Sequence, residues 1–253
     1  MQPSGDQALS KVPELTLTFW LIKILATTLG ETGGDAASMS MNLGYLQSTI
    51  IFFVIFLSAV LAQVRARHFH PLLYWTTIIA TTTVGTTLAD FADRSLGIGY
   101  AGGASLLLGL LLLSLFVWHR TLGTISAQSI STPRAETFYW VTIMCSQTLG
   151  TALGDWTADT AGLGYDGAAL LFLALLGLVI AAYYWTSISR TALFWSAFIL
   201  TRPLGAVIGD FLDKPVSAGG LALSRYSASA ALLLMIVVSI LIFPQRAARQ
   251  TSH

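Results

Sequence analysis

Charge is what this sequence has least of. Asp, Glu, Lys and Arg make up 10% of its residues, against about 25% in soluble domains. Cysteine is scarcer still: Cys145 stands alone, so no internal disulfide framework exists and thiol usage says nothing of redox compartment. Net charge is also lacking, at +1, and no global field favours nucleic acid as a partner. There is no phosphate loop, nucleophile elbow or HExxH pair. His68 and His70 flank a connection beside Arg65 and Arg67, and neither they nor His119 and His253 form a ligand set. No enzyme and no covalent cofactor are expected.

What is abundant is apolar. Hydrophobic residues make up 55% of the 253, and the mean hydropathy is +0.72. Long apolar runs with few charges read as an all-α integral membrane protein. The polar start, MQPSGDQALSKVPEL, has no small-residue cleavage signal close behind the apolar run that follows. That run therefore reads as a first transmembrane helix and not a removable signal peptide.

Repetition organises the chain. FWLIKILATTLGETGGD, YWTTIIATTTVGTTLAD, YWVTIMCSQTLGTALGD and FWSAFILTRPLGAVIGD each open on an aromatic residue and Trp: Trp20, Trp75, Trp140 and Trp195. Ten residues later stand Gly30, Gly85, Gly150 and Gly205. Fourteen later come Gly34, Ala89, Gly154 and Gly209, and fifteen later Asp35, Asp90, Asp155 and Asp210. Ten residues beyond Asp, Tyr45, Tyr100 and Tyr165 follow a Gly, whereas Tyr226 lies sixteen beyond Asp210. A second apolar run follows each Tyr. The chain is thus four tandem two-helix units, approximately 11–65, 70–120, 134–187 and 189–245, in a single membrane domain 1–253. Spans are expected near 14–34, 44–64, 72–92, 101–120, 136–156, 166–186, 190–211 and 226–244.

Lys11, Arg65, Arg67, Arg120, Arg134, Arg190, Arg246 and Arg249 fall on one side, against Arg94, Lys214 and Arg225 on the other. The basic side is cytoplasmic by the positive-inside rule, which puts both termini there and the repeated Asp residues outside. Two spans per unit make the repeats parallel, related by an axis along the membrane normal. The four odd helices are expected to form an inner ring about it. The repeated Trp and Tyr are expected as interfacial anchors.

Residues 0, 4, 7, 11 and 15 after each Trp share one helix face. Its outer half carries Thr27, Glu31 and Asp35 in copy one, Thr82, Thr86 and Asp90 in copy two, and Gln147, Thr151 and Asp155 in copy three. Copy four has Arg202, Ala206 and Asp210 there. Such a stripe belongs inside a bundle or against a water-filled cavity. Carboxylates converging from several helices are hard ligands for cations and allow proton coupling. Asp35, Asp90, Asp155 and Asp210 are the candidate metal or proton ligands, with Glu31, Thr86 and Thr151 supporting them one turn deeper. Asp93, Asp159 and Asp213 are vestibule candidates, and a solvated loop explains them equally well. Lys23 and Arg202 are candidate intramembrane charges or gates: Glu31 is positioned to pair with Arg202 if copies one and four adjoin, and Lys23 to join them. Pro203 marks its helix as the candidate moving or broken element.

The four Trp, with the Gly and Asp that follow, resemble a bacterial family of multi-span membrane proteins built from four tandem two-helix repeats of unknown function. The resemblance covers nearly the whole chain and implies the fold without an activity. The residues themselves lead to a multi-pass inner-membrane transporter or channel for a cation, a divalent metal above all, with membrane lipid and the cation as partners. A sensor or scaffold whose repeated Gly and Asp serve only packing is the alternative. A homo-oligomer is not legible in the sequence.

Overall fold

The computed structural model describes residues 10–127 and 130–248. Residues 1–9, Arg249 and His253 lie outside the described residues. Eight long helices follow one another: α1 (Leu17–Asp35), α2 (Gly44–Arg65), α3 (Pro71–Asp90), α4 (Tyr100–Leu122), α5 (Pro133–Asp155), α6 (Gly164–Trp185), α7 (Arg190–Asp213) and α8 (Arg225–Ile242). Among the described residues there is no strand, only an isolated bridge between Pro13 and Ala247.

The helix boundaries have local causes. The Thr16 and Thr132 hydroxyls accept from the Phe19 and Ala135 amides, each at 3.2 Å, capping α1 and α5. Pro71 and Pro133 open α3 and α5, where a missing N–H costs nothing. Past Asp35, Asp90 and Asp155 the chain continues into a wide π turn. The Gly that precedes each repeated Tyr then supplies a positive φ, 73° at Gly44, 75° at Gly99 and 64° at Gly164. A residue with a Cβ is strained in that conformation. α7 runs unbroken through Pro203, so the break expected there is absent.

The helices divide into two kinds. α2, α4, α6, α7 and α8 are long and apolar enough to cross a membrane. The chain is a membrane protein. The four even helices are almost bare: 11% of the apolar window of α2 and of α6 is buried, against 67% in α7. The other odd helices, α1, α3 and α5, carry the Thr-rich polar faces, and those faces are buried. α1 packs against α3 and α7, and α5 packs against the same two. Each even helix lies on an odd helix of another copy: α2 on α3, α4 on α5, α6 on α7 and α8 on α1.

Glycine makes the odd-helix contacts close. A Cβ at Gly30, Gly85, Gly150 or Gly205 would run into Thr82, Gln147, Arg202 or Thr27, the residue seven after Trp in the adjoining copy. Gly34, Gly154 and Gly209 meet Thr86, Ala206 and Glu31 in the same way. Backbones that approach this tightly leave no room for lipid or bulky side chains.

At the end expected to be cytoplasmic, the chain termini are tied together. The Ser10 amide donates to the Ala248 carbonyl at 3.0 Å, the Ala248 amide to Val12 at 2.9 Å, and the Lys11 amide to Ile130 at 3.0 Å. Lys11 Nζ pairs with Glu136 at 2.6 Å and donates to the Val64 carbonyl at 3.1 Å, at the end of α2.

Three of the four repeated Trp residues are buried and not interfacial anchors, while Trp20 is half-buried against the core. Trp75, Trp140 and Trp195 are 1%, 2% and 3% exposed. They join Phe19, Tyr74, Tyr139 and Phe198 in one aromatic core, with the Tyr74 and Tyr139 hydroxyls 2.7 Å apart. The rings of other helices cover the three Trp side chains: Phe19 lies against Trp75, Tyr74 against Trp140, and Trp118 and Tyr139 against Trp195.

Adding a methyl at Gly205 forces Thr27 and its backbone aside, so Gly205→Ala is expected to cost about 1–3 kcal/mol. Gly109 and Gly177, on even helices, have nothing within 4 Å of an added Cβ. Alanine at either is expected to be neutral or to stabilise by up to about 1 kcal/mol. Unfolding of the three variants in detergent, followed by tryptophan fluorescence, distinguishes the outcomes.

Candidate functional site

Two polar layers lie beyond the aromatic core. The inner one centres on Arg202, whose side chain has no exposure. Nη1 and Nη2 both donate to Glu31 Oε2 at 3.1 Å. Nη2 also reaches the Thr86 and Thr151 hydroxyls, at 2.6 and 2.5 Å. Thr86 Oγ1 in turn donates to Glu31 Oε2 at 3.2 Å. Glu31, Thr86 and Thr151 occupy the same repeat position in copies one, two and three, so three helices converge on the guanidinium of the fourth. The two threonines were expected to support the repeated carboxylates; they hold Arg202 instead.

Lys23 does not join the pair. Its ammonium lies 4.2 Å over the Phe198 ring and has no hydrogen-bond partner. Position explains this. Lys23 is eight residues before Glu31, about 12 Å along the helix axis, and a lysine side chain does not span that.

The outer layer holds the repeated carboxylates. Asp35, Asp90, Asp155 and Asp210 are 1–3% exposed. Basic side chains join them in pairs. Lys214 Nζ lies 2.5 Å from Asp35 Oδ2 and 3.0 Å from Asp210 Oδ1. Arg94 Nε lies 2.8 Å from Asp90 Oδ1, and its Nη2 lies 3.5 Å from Asp155 Oδ2. Arg225 Nε lies 2.8 Å from Asp213 and 3.8 Å from Asp35. Burial alone would lower the Lys214 pKa. The carboxylates of Asp210, Asp35 and Asp213 overcome it and hold the ammonium above its ordinary value.

The vestibule candidates separate. Asp213 is buried inside this layer, on the last residue of α7. Asp93 is buried in the turn after α3, where burial raises its pKa against the pull of Arg94. Asp159 is exposed. Asp35, Asp210 and Asp213 each present one oxygen within 4.8 Å of the others, a geometry able to hold a metal ion.

Arg94 and Lys214 lie among the outer basic residues in the sequence, and the structure adds their role as bridges between carboxylates. The signal was present: each stands four residues after its repeat's Asp, nineteen after its Trp.

A model of the family described as Repeat of Unknown Function (DUF347) matches residues 18–69, 73–124, 138–189 and 193–246. The chain belongs to that family. Its four matches fall on the four copies that the Trp, Gly and Asp spacing marks out. No curated protein and no solved structure matches the chain.

Removing the carboxylate from the inner layer leaves a buried guanidinium without a counter-charge. Glu31→Gln is expected to cost about 3–5 kcal/mol. Glu31→Gln combined with Arg202→Met removes both charges and is expected to recover more than half of that loss. Thermal unfolding of the single and double variants checks the difference; a double variant no more stable than Glu31→Gln would show that the pair is not the cause.

Proposed function

We propose that the chain is a cation transporter of the bacterial inner membrane, with a divalent metal as the favoured cargo. In this reading all eight helices cross the membrane with both termini cytoplasmic, and the odd helices form an inner ring about the membrane normal. The observation that carries the proposal is the convergence of Asp35, Asp90, Asp155 and Asp210. All four are buried, and shared basic side chains bring their oxygens together in pairs. Acidic side chains held inside a membrane bundle are expensive, and a functional site is their default explanation.

The layers then have separate tasks. The outer carboxylates take a cation from the vestibule by substituting for its water ligands. The Glu31–Arg202 layer places a fixed positive charge below them, so a cation advances only as the pair rearranges. The aromatic core closes the inner end. Two successive closures suit a carrier that opens one side at a time.

The sensor or scaffold reading is favoured by a different observation. Glu31, Asp35, Asp90, Asp155, Asp210 and Asp213 each already have a basic partner, which offsets most of their charge with no guest. Flux separates the two readings. Reconstituted in liposomes, the wild type is expected to move Mn²⁺ or protons, read by entrapped dyes. The Asp35→Asn, Asp210→Asn double variant is expected to lose at least about ten-fold in rate, the scale of one lost charge-assisted contact of 1.4 kcal/mol or more. No flux from the wild type, together with no Mn²⁺ heat in calorimetry, would establish the scaffold reading.

A further inference from the structure

We propose that Arg94 and Lys214 are tethered occupants of the carboxylate cluster that divide it into two half-sites, and that the Lys214 half-site is the one a divalent cation enters by displacing the ammonium. The inference rests on reading the carboxylates as a cation site, and it names which of them bind and what they exclude.

Register singles out the two basic residues. Nineteen residues after the repeated Trp stand Met39, Arg94, Asp159 and Lys214. Only the second and fourth are cationic. Each reaches back one helical turn to the Asp of its own copy and across to the Asp of another: Arg94 joins Asp90 to Asp155, and Lys214 joins Asp210 to Asp35. A fourfold repeat thereby acquires twofold chemistry.

The two halves differ. Arg94 presents a fork whose second contact is long, at 3.5 Å, and among the described residues no third carboxylate completes a comparable set there. Lys214 is a compact point charge at short distance from two carboxylates. A third, Asp213, stands beside them with its side chain 1% exposed. Asp213 Oδ1 has no hydrogen-bond donor, although it is buried. Three carboxylates with oxygens within 4.8 Å of one another outweigh the ammonium in charge and match the oxygen-rich shell of a hard divalent ion. Charge agrees. Asp35, Asp210 and Asp213 face Lys214 and Arg225, a formal sum of −1; withdrawing the ammonium makes it −2, which one divalent ion neutralises.

Calorimetry of the purified full chain with Mn²⁺ tests this. Lys214→Met is expected to bind one Mn²⁺ at least ten-fold more tightly than the wild type, and Lys214→Met with Asp213→Asn to lose that gain. Arg94→Met is expected to stay within three-fold of the wild type. Should Lys214→Met fail to show a cooperative unfolding transition, Lys214→Gln carries the same expectation. In the wild type, Mn²⁺ is expected to speed acylation of the displaced Lys214 amine at least five-fold, read by mass spectrometry. Unchanged Mn²⁺ affinity on removing Lys214 overturns the inference, as does an equal gain from Arg94→Met. Tight binding by Lys214→Met without wild-type flux retires the transport proposal alone; flux with unchanged affinity retires this one alone.

Discussion

A guanidinium with no exposure must find its counter-charge inside the protein, and Arg202 finds it in Glu31 from another copy of the repeat. This requirement organises much of the bundle. The pair forms only where α1 and α7 approach closely, and that approach depends on Gly205 and Gly209 having no side chain to keep Thr27 and Glu31 away. Thr86 and Thr151 add hydroxyl acceptors for Nη2 from α3 and α5. A buried ion pair adds little net stability, because desolvation offsets most of the attraction, but losing one partner is costly. The pair therefore specifies which helices meet more than it strengthens the meeting.

The same economy governs the outer layer. Four buried aspartates at one level would repel one another, and Arg94, Lys214 and Arg225 remove most of that repulsion. The even helices make the polar interior tolerable by facing the apolar surroundings themselves. α2, α4, α6 and α8 bury little of their surface, and none carries an ionised side chain in the middle of its length. The amphipathicity is that of a membrane bundle: apolar helices outside, polar stripes inside.

Much of this was legible in the residues. The eight helices lie within three residues of the spans read from the apolar runs. The spacing of Trp20, Gly30 and Asp35 and their counterparts marked the family before any coordinate. The pairing of Glu31 with Arg202 followed from their absence in the other copies. Burial of Trp75, Trp140 and Trp195 is not legible there, because an aromatic near a helix end suits an interface and a core equally; which it meets depends on the helix packed against it. The sequence shows Lys23 as a charge on the same helix as Glu31 but not how far its side chain reaches. Arg94 and Lys214 were assigned by side of the membrane, although their shared register pointed to one task.

The sequence by itself determined the helical class, the four copies, the polar face of each odd helix and the family, because period and repetition are properties of the chain. Only the tertiary structure decided which copies adjoin, which carboxylates share a cation and that Trp75, Trp140 and Trp195 lie inside. Those are contacts between residues distant in sequence, and the positions that every copy shares carry no record of their neighbours. Burial and distance exist only once the helices are packed.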